Sequence, residues 1–226
     1  MITTPLLYHF YCAMQKRFPD VLFYGDPSRR EIALTFDDGP HPRDTPQVLD
    51  MLAKHNVHAT FFLIGQSVEQ YPHLVKRIHQ NGHQLALHCY RHIPFPMENA
   101  STLKGQLIRT RNAIAYACGI SPETIRDVRP PYGVFTSRIL SHLTDCGYRL
   151  IMWSSIPQHW MQPLNWSVKQ VLDEVVPGSV IALHDGHGHG RKVAQFVDII
   201  IPQLKARGFE FVTIEQMHKS ITGESK

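Results

Sequence analysis

A chain of 226 residues with 43% hydrophobic and 19% charged residues has the balance of an ordinary globular protein, long enough to bury a core without disulfides or structural metals. Its formal net charge of +4 is not gathered into a basic run, which argues against nucleic acid as the main partner. No apolar run is long enough to span a bilayer, no fixed-period repeat marks a solenoid, and the four cysteines form no CxxC pair.

Residues 1–28 read as an N-terminal helical extension, a short helix followed by an irregular connection, ahead of a single domain over 29–226. Thr4-Pro5 is a good helix start, and Leu7, Phe10, Met14 and Phe18 recur at helical spacing, with Tyr11 widening the stripe. Two uses stay open for this segment: a helix packed across the domain at a barrel end, or membrane-surface contact through residues 1–18. The N-terminus lacks the sections of a signal peptide, so the chain reads as cytoplasmic if complete and as extracytoplasmic if a leader or anchor has been removed.

From Arg30 onward short β-rich runs alternate with longer amphipathic stretches. Strands are expected at Ile32 to Phe36, His58 to Ile64, Gln84 to His88, Thr124 to Arg129, Tyr148 to Trp153, Ser179 to His184 and Glu210 to Ile214. Helices are expected from Pro46, Ser67, Glu98, Thr136, Ser167, Arg191 and Glu215, with Thr45-Pro46 and Ser67-Val68-Glu69-Gln70 as start signals. Such alternation gives an α/β fold with parallel strands, and seven repeats favour a closed or nearly closed barrel, whose chemistry sits at the C-terminal strand ends.

The reactive residues fall at those ends. The first strand finishes in Asp37-Asp38-Gly39-Pro40. Neighbouring strand residues face opposite ways, so both carboxylates serve one site only if the backbone leaves the strand there, which Gly39-Pro40 favours. The third strand is followed by His88-Cys89-Tyr90-Arg91-His92, two imidazoles spaced as on one face of a helical turn. Asp38, His88 and His92 together make the three-ligand, open arrangement of a catalytic zinc-type site, which lowers the pKa of a water toward about 7. Asp37 is then placed as general base, with Arg129 holding it ionised. Pro130-Pro131-Tyr132-Gly133 has few backbone donors, which leaves the Tyr132 N–H for a developing oxyanion. His184 is placed to protonate a leaving group, and Trp153 and Trp160 with Leu183 wall a pocket for an acyl methyl. The stretch His184 to Arg191 adds His187 and His189 on a glycine-rich loop at the rim, where they touch substrate or solvent or hold a second metal.

These pieces, in this order, resemble the NodB-like polysaccharide deacetylases, carbohydrate esterase family four, from about Arg30 to Met217. Thr35 to Pro40 is similar to the family's first motif, His88 to His92 to its second, Arg129 to Tyr132 to its third and Leu183-His184 to its fifth. The resemblance implies a distorted (β/α)7 barrel, one divalent metal, and hydrolysis of an N- or O-acetyl group on a glycan or oligosaccharide. The metal is usually zinc, with cobalt, manganese or nickel as the other candidates. It also implies Asp37 as base, Asp38, His88 and His92 as ligands, the Tyr132 amide as oxyanion donor and His184 as acid.

Two departures stand out. Cys89 takes a place usually held by Ser or Thr. Where the fourth motif has Asp-x-x-Asp-Trp, this chain reads Ile156-Pro157-Gln158-His159-Trp160. The first of those carboxylates is expected to pair with the acid histidine and raise its pKa. Without it, a histidine near its reference pKa of about 6.5 is only about one quarter protonated at pH 7. Besides a carbohydrate deacetylase, the sequence therefore leaves open an amidase or deformylase acting on a small substrate and a glycan-binding protein with weakened turnover.

Overall fold

Ile32, Leu34 and Phe36 alternate with Ala33, Thr35 and Asp37, so one strand offers large apolar groups to one face and small or polar groups to the other. In the computed structural model, which describes residues 6–186 and 190–223, that alternation separates two cores. Strand β2 (Glu31–Asp37) sits near the centre of a parallel sheet with β3 (Thr60–Leu63), β4 (Gln84–Leu87), β5 (Asp127–Val128), β6 (Arg149–Ile151), β7 (Val180–His184) and β8 (Glu210–Val212). An additional two-residue strand, β1 (Val21–Leu22), pairs with β6. The order is β1-β6-β5-β4-β3-β2-β7, with β8 on the N-terminal half of β2. The sheet curls until the chain just past β6 bonds back to β7, through Ser154 N–H to the Val180 carbonyl at 2.9 Å and Ala182 N–H to the Ser155 carbonyl at 2.9 Å. The result is the distorted (β/α)7 barrel expected, curled as a half-barrel.

Helices cover the outside: α1 (Leu6–Arg17), α2 (Asp44–Lys54), α3 (Gly65–Gln70), α4 (Pro72–Gln80), α5 (Ala100–Cys118), α6 (Ser137–Asp145), α7 (Leu164–Glu174), α8 (Gly190–Ala206) and α9 (Ile214–Thr222). Leu34, Phe36, Phe61, Leu63, Leu85, Leu87, Ile181 and Leu183 pack outward against them in the larger core. The lumen holds Ala33, Phe62, Ala86, Ile151, Val180 and Val212. Its alanines leave width for the Arg129 side chain, whose guanidinium lies 4.0 Å from the Phe62 ring centroid.

Several boundaries differ from the sequence reading, each for a local reason. Val21–Leu22 lay in the expected irregular connection; two residues are too few for any periodicity. Ser67 does not cap a helix: α3 begins at Gly65, and Pro72, lacking an N–H, forces Tyr71 out of helical geometry (φ −129°, ψ 53°) and restarts the chain as α4. Asn99, not Glu98, caps α5 by accepting the Thr102 N–H. The barrel end opposite the strand C-termini is filled by Ile214 and Met217 of α9, whereas Tyr11, Met14 and Phe18 of the N-terminal segment pack against the outer core. Among the described residues no helix is long and apolar enough to cross a membrane.

Candidate active site

Asp37 points into the lumen and is almost fully buried. Asp38 then takes φ +74°, a conformation costing a non-glycine residue about 1–2 kcal/mol, and this turn swings its carboxylate to the same side as that of its neighbour. The Gly39-Pro40 peptide is cis. Gly39 also lets Asp185 approach: a Cβ there would lie 2.6 Å from the Asp185 carboxylate. The departure from the strand that the sequence required is therefore present, between and just after the two carboxylates.

Asp38 Oδ1 lies 3.4 Å from His88 Nε2 and 3.2 Å from His92 Nε2, and one ligand atom from each of the three residues falls within 4.8 Å of the others. His88 Nδ1 is 2.9 Å from the Arg129 carbonyl, which can only accept, so Nδ1 carries a proton and Nε2 is the ring nitrogen turned toward Asp38. A carboxylate oxygen and imidazole nitrogens converging in this way suit a divalent cation. Burial alone would push the Asp38 carboxyl up, but the hydrogen bond and charge of His88, with the charges of His184 and His92, bring it well below the usual carboxylate range.

The two histidines do not meet on a helical turn. His88 to His92 is a loop in which Cys89 takes φ +79°, and the rings stand 5.2 Å apart. The i, i+4 spacing suited either geometry.

Arg129 Nη1 donates to Asp37 Oδ1 at 2.7 Å and to Thr35 Oγ1 at 2.7 Å, while Nη2 donates to the Met152 carbonyl at 2.8 Å. Both members of this ion pair are buried. After Arg129, the Pro131–Gly133 turn closes with Gly133 N–H on the Pro130 carbonyl at 3.0 Å and Val134 N–H on the Pro131 carbonyl at 3.4 Å, bonds that leave the Tyr132 N–H without a partner among the described residues. Tyr132 has φ +59°, and its ring lies against His92 at 4.5 Å. A Cβ on Gly133 would meet the Trp153 ring at 2.4 Å, so glycine is what lets that indole pack on the turn.

Asp37, Asp38, His88, His92, Tyr132 and Trp153 line a cleft of about 340 Å³ together with Ile156, Trp160, His184 and Gly186, with Arg129 buried behind Asp37. Trp160 stands edge-on to His184 at 4.4 Å. Leu183 does not join them. It is paired with Phe36 on the outward side of the sheet and is fully buried in the helix-facing core, since adjacent strand residues cannot both face the lumen. His187 and His189 lie outside the described residues. A larger cavity, of about 700 Å³, sits beside α9 and the start of β6; its arginine, Arg149, is already engaged by Asp127 and Glu215.

Two contacts beside the cleft were missed from sequence. His159, at the second altered position of the fourth motif, is buried, and its Nε2 accepts the His184 backbone N–H at 3.2 Å. Its ring stacks on Phe196 at 5.8 Å. Asp185 is fully buried; its N–H donates to the Asp37 carbonyl at 3.2 Å and its carboxyl accepts from Thr45. Burial pushes this carboxyl up to about 7, against the Thr45 hydrogen bond, with the charges of Asp38 and Asp37 adding to the rise. At the other altered position, Ile156 offers no polar atom, and His184 Nδ1 is buried without a partner among the described residues. Burial lowers the His184 pKa, outweighing the opposite pull of Asp37 and Asp38.

Residues 24–151 match the family model described as polysaccharide deacetylase. The chain is 38% identical over 200 residues to a peptidoglycan-N-acetylglucosamine deacetylase of Bacillus cereus, covering 88% of this chain and 72% of that protein. It is 35% identical over 209 residues to a chitooligosaccharide deacetylase of Bradyrhizobium, covering 86% and 94%. The crystal structure of the Bc1960 peptidoglycan N-acetylglucosamine deacetylase superposes with a TM-score of 0.83 at 36% identity, covering 88% of this chain and 92% of that one.

Proposed function

The chain belongs to the polysaccharide deacetylase family, and from that premise we propose that it hydrolyses the N-acetyl group of N-acetylglucosamine units in a glycan, with Asp37 as base and His184 as acid. The observation that carries this reading is the convergence on one cleft of the Arg129-bound Asp37 carboxylate, the Asp38, His88 and His92 donors, and the His184 imidazole. N-acetylglucosamine is the unit common to the peptidoglycan and chito-oligosaccharide substrates in the two relatives' names.

Asp38, His88 and His92 hold a divalent metal in this reading, with zinc the first choice for a two-imidazole, one-carboxylate set. When bound, it supplies Lewis-acid polarisation of the acyl oxygen and acidifies water. Asp37 takes a proton from the attacking water as the new C–O bond forms, a role worth roughly 10²- to 10⁴-fold in rate. Arg129 fixes the orientation of that carboxylate from its buried side. The Tyr132 N–H donates to the oxygen that becomes negative. His184 then gives its proton to the departing nitrogen as the C–N bond breaks, leaving acetate and a free amine. Trp153 and Trp160 wall the side of the cleft where the acyl methyl sits.

Acetate release from N-acetylated chito-oligosaccharides, peptidoglycan fragments and acetylated xylan by zinc-loaded protein tests the substrate assignment. Release from the N-acetylated substrates is the expected result. Release from acetylated xylan alone would replace the amide reading with an ester-directed one.

A further inference from the structure

The loop that carries His92 is shaped by residues outside the metal-binding motif. Cys89 adopts a left-handed conformation that a non-glycine residue does not hold unaided, and it separates the two histidines. Several contacts hold the loop there. The Cys89 and Tyr90 carbonyls accept the Gly65 and Gln66 N–H groups at 3.0 and 3.1 Å, and the Tyr90 hydroxyl donates to Glu69 at 3.0 Å. From α5, Arg109 lies over the Tyr90 ring at 4.0 Å, and Gln106 hydrogen-bonds the loop: its Oε1 accepts from Cys89 Sγ at 3.1 Å and from the Arg91 N–H at 3.3 Å. Its Nε2 donates to the Glu98 carboxylate, which fixes the amide with its oxygen toward the loop.

From these contacts we infer that Gln106 is a positioning residue for the metal centre: it clamps Cys89 and Arg91 so that His92 Nε2 stays opposite Asp38 and His88. The Cys89 thiol is fully buried, so its hydrogen is available to Gln106 rather than to water. The Gln106 side chain bonds to Cys89, Arg91 and Glu98, so it acts on the metal centre through the loop. The inference rests on the metal-site reading above but not on the reaction assigned to it.

Zinc affinity of the full chain, measured by competition with a chelator well below the unfolding temperature, tests the clamp. Gln106→Leu is expected to weaken zinc binding about 10-fold, the lower end for groups that orient ligands from outside the coordination sphere. Cys89→Ser, which keeps a donor, is expected to retain wild-type affinity, and Cys89→Ala to weaken it in the same direction as Gln106→Leu. In a His92→Ala background, Gln106→Leu is expected to have no further effect. Unchanged affinity in folded Gln106→Leu would overturn the inference, and so would an equal loss in the His92→Ala background. Should Gln106→Leu fail to fold, unchanged affinity in Cys89→Ala would overturn it equally. Zinc binding by the wild type without acetate release would refute the proposed reaction and leave the clamp to be judged on affinity alone.

Discussion

Replacing Arg129 by Met removes the only positive charge bonded to Asp37 among the described residues and leaves a carboxylate with 2% side-chain exposure uncompensated. Bonds to Thr35, the Met152 carbonyl and, at 3.4 Å, the Ile151 carbonyl are lost with it. Removing one partner of a buried, hydrogen-bonded ion pair costs about 3–5 kcal/mol. For a chain of 226 residues this corresponds to a fall in Tm of about 6–20 °C. The assay is urea unfolding at pH 7 with a chelator present, so that metal binding does not add to native stability. Lys169→Met is the control. Its partner is Asp173 and both side chains are more than half exposed, so the change is expected to stay within about 1 kcal/mol. A loss below about 1 kcal/mol for Arg129→Met would refute the claim that this pair is a desolvated element of the core.

The remaining predictions concern pH and the metal. Burial lowers the His184 pKa, so the protonated acid is lost as pH rises through a value below the reference of about 6.5. The alkaline limb of kcat/KM should report an acid in that range, and an acid pKa well above 7 would contradict the account of Ile156. His83 is buried, its Nδ1 accepts the Ala59 N–H, and burial, followed by the nearby His58, lowers its pKa to about 4. The unfolded chain therefore binds the extra proton first: the contribution is intact above pH ~6.5 and is lost as pH falls toward 4, by about 3 kcal/mol at most. His83→Gln should flatten the stability profile in that window; an unchanged slope would show that His83 does not titrate on unfolding. A Cβ on Gly186 would come within 2.5 Å of Asp38 Cβ and 2.7 Å of its carbonyl oxygen. Gly186→Ala should thus weaken zinc binding about 10-fold or more while removing no ligand, and wild-type affinity would show that the Asp38 turn yields freely.

Asp37 and Asp38 were legible because two carboxylates before Gly-Pro can serve one site only if the strand ends there, and a φ of +74° at Asp38 is how it does so. Arg129 was legible as the charge at the end of another strand, although its four bonds across the lumen depend on the curl of the sheet. The alternation of strand and helix was enough for the parallel topology, but not for β1, whose two residues carry no pattern. Leu183 was misassigned against a rule already in hand: next to His184 on a strand, it has to face the other way. His159 and Asp185 are tied to residues far from them in sequence, the His184 amide at the end of β7 and Thr45 of α2, and their residue types alone do not announce those partners. Replacement of the fourth-motif carboxylates by Ile156 and His159 was the one visible signal for the His159 contact.

The central claim is that Asp37 is the base beside a metal held by Asp38, His88 and His92. The most direct measurement is acetate release from N-acetylated chito-oligosaccharides by protein carrying one equivalent of zinc, beside Asp37→Asn carrying the same zinc. The account predicts release by the wild type, its loss on chelation, and a fall of at least about 10²-fold in Asp37→Asn with zinc still bound. Equal rates in the two proteins, or no release from wild type with zinc confirmed in place, would contradict it.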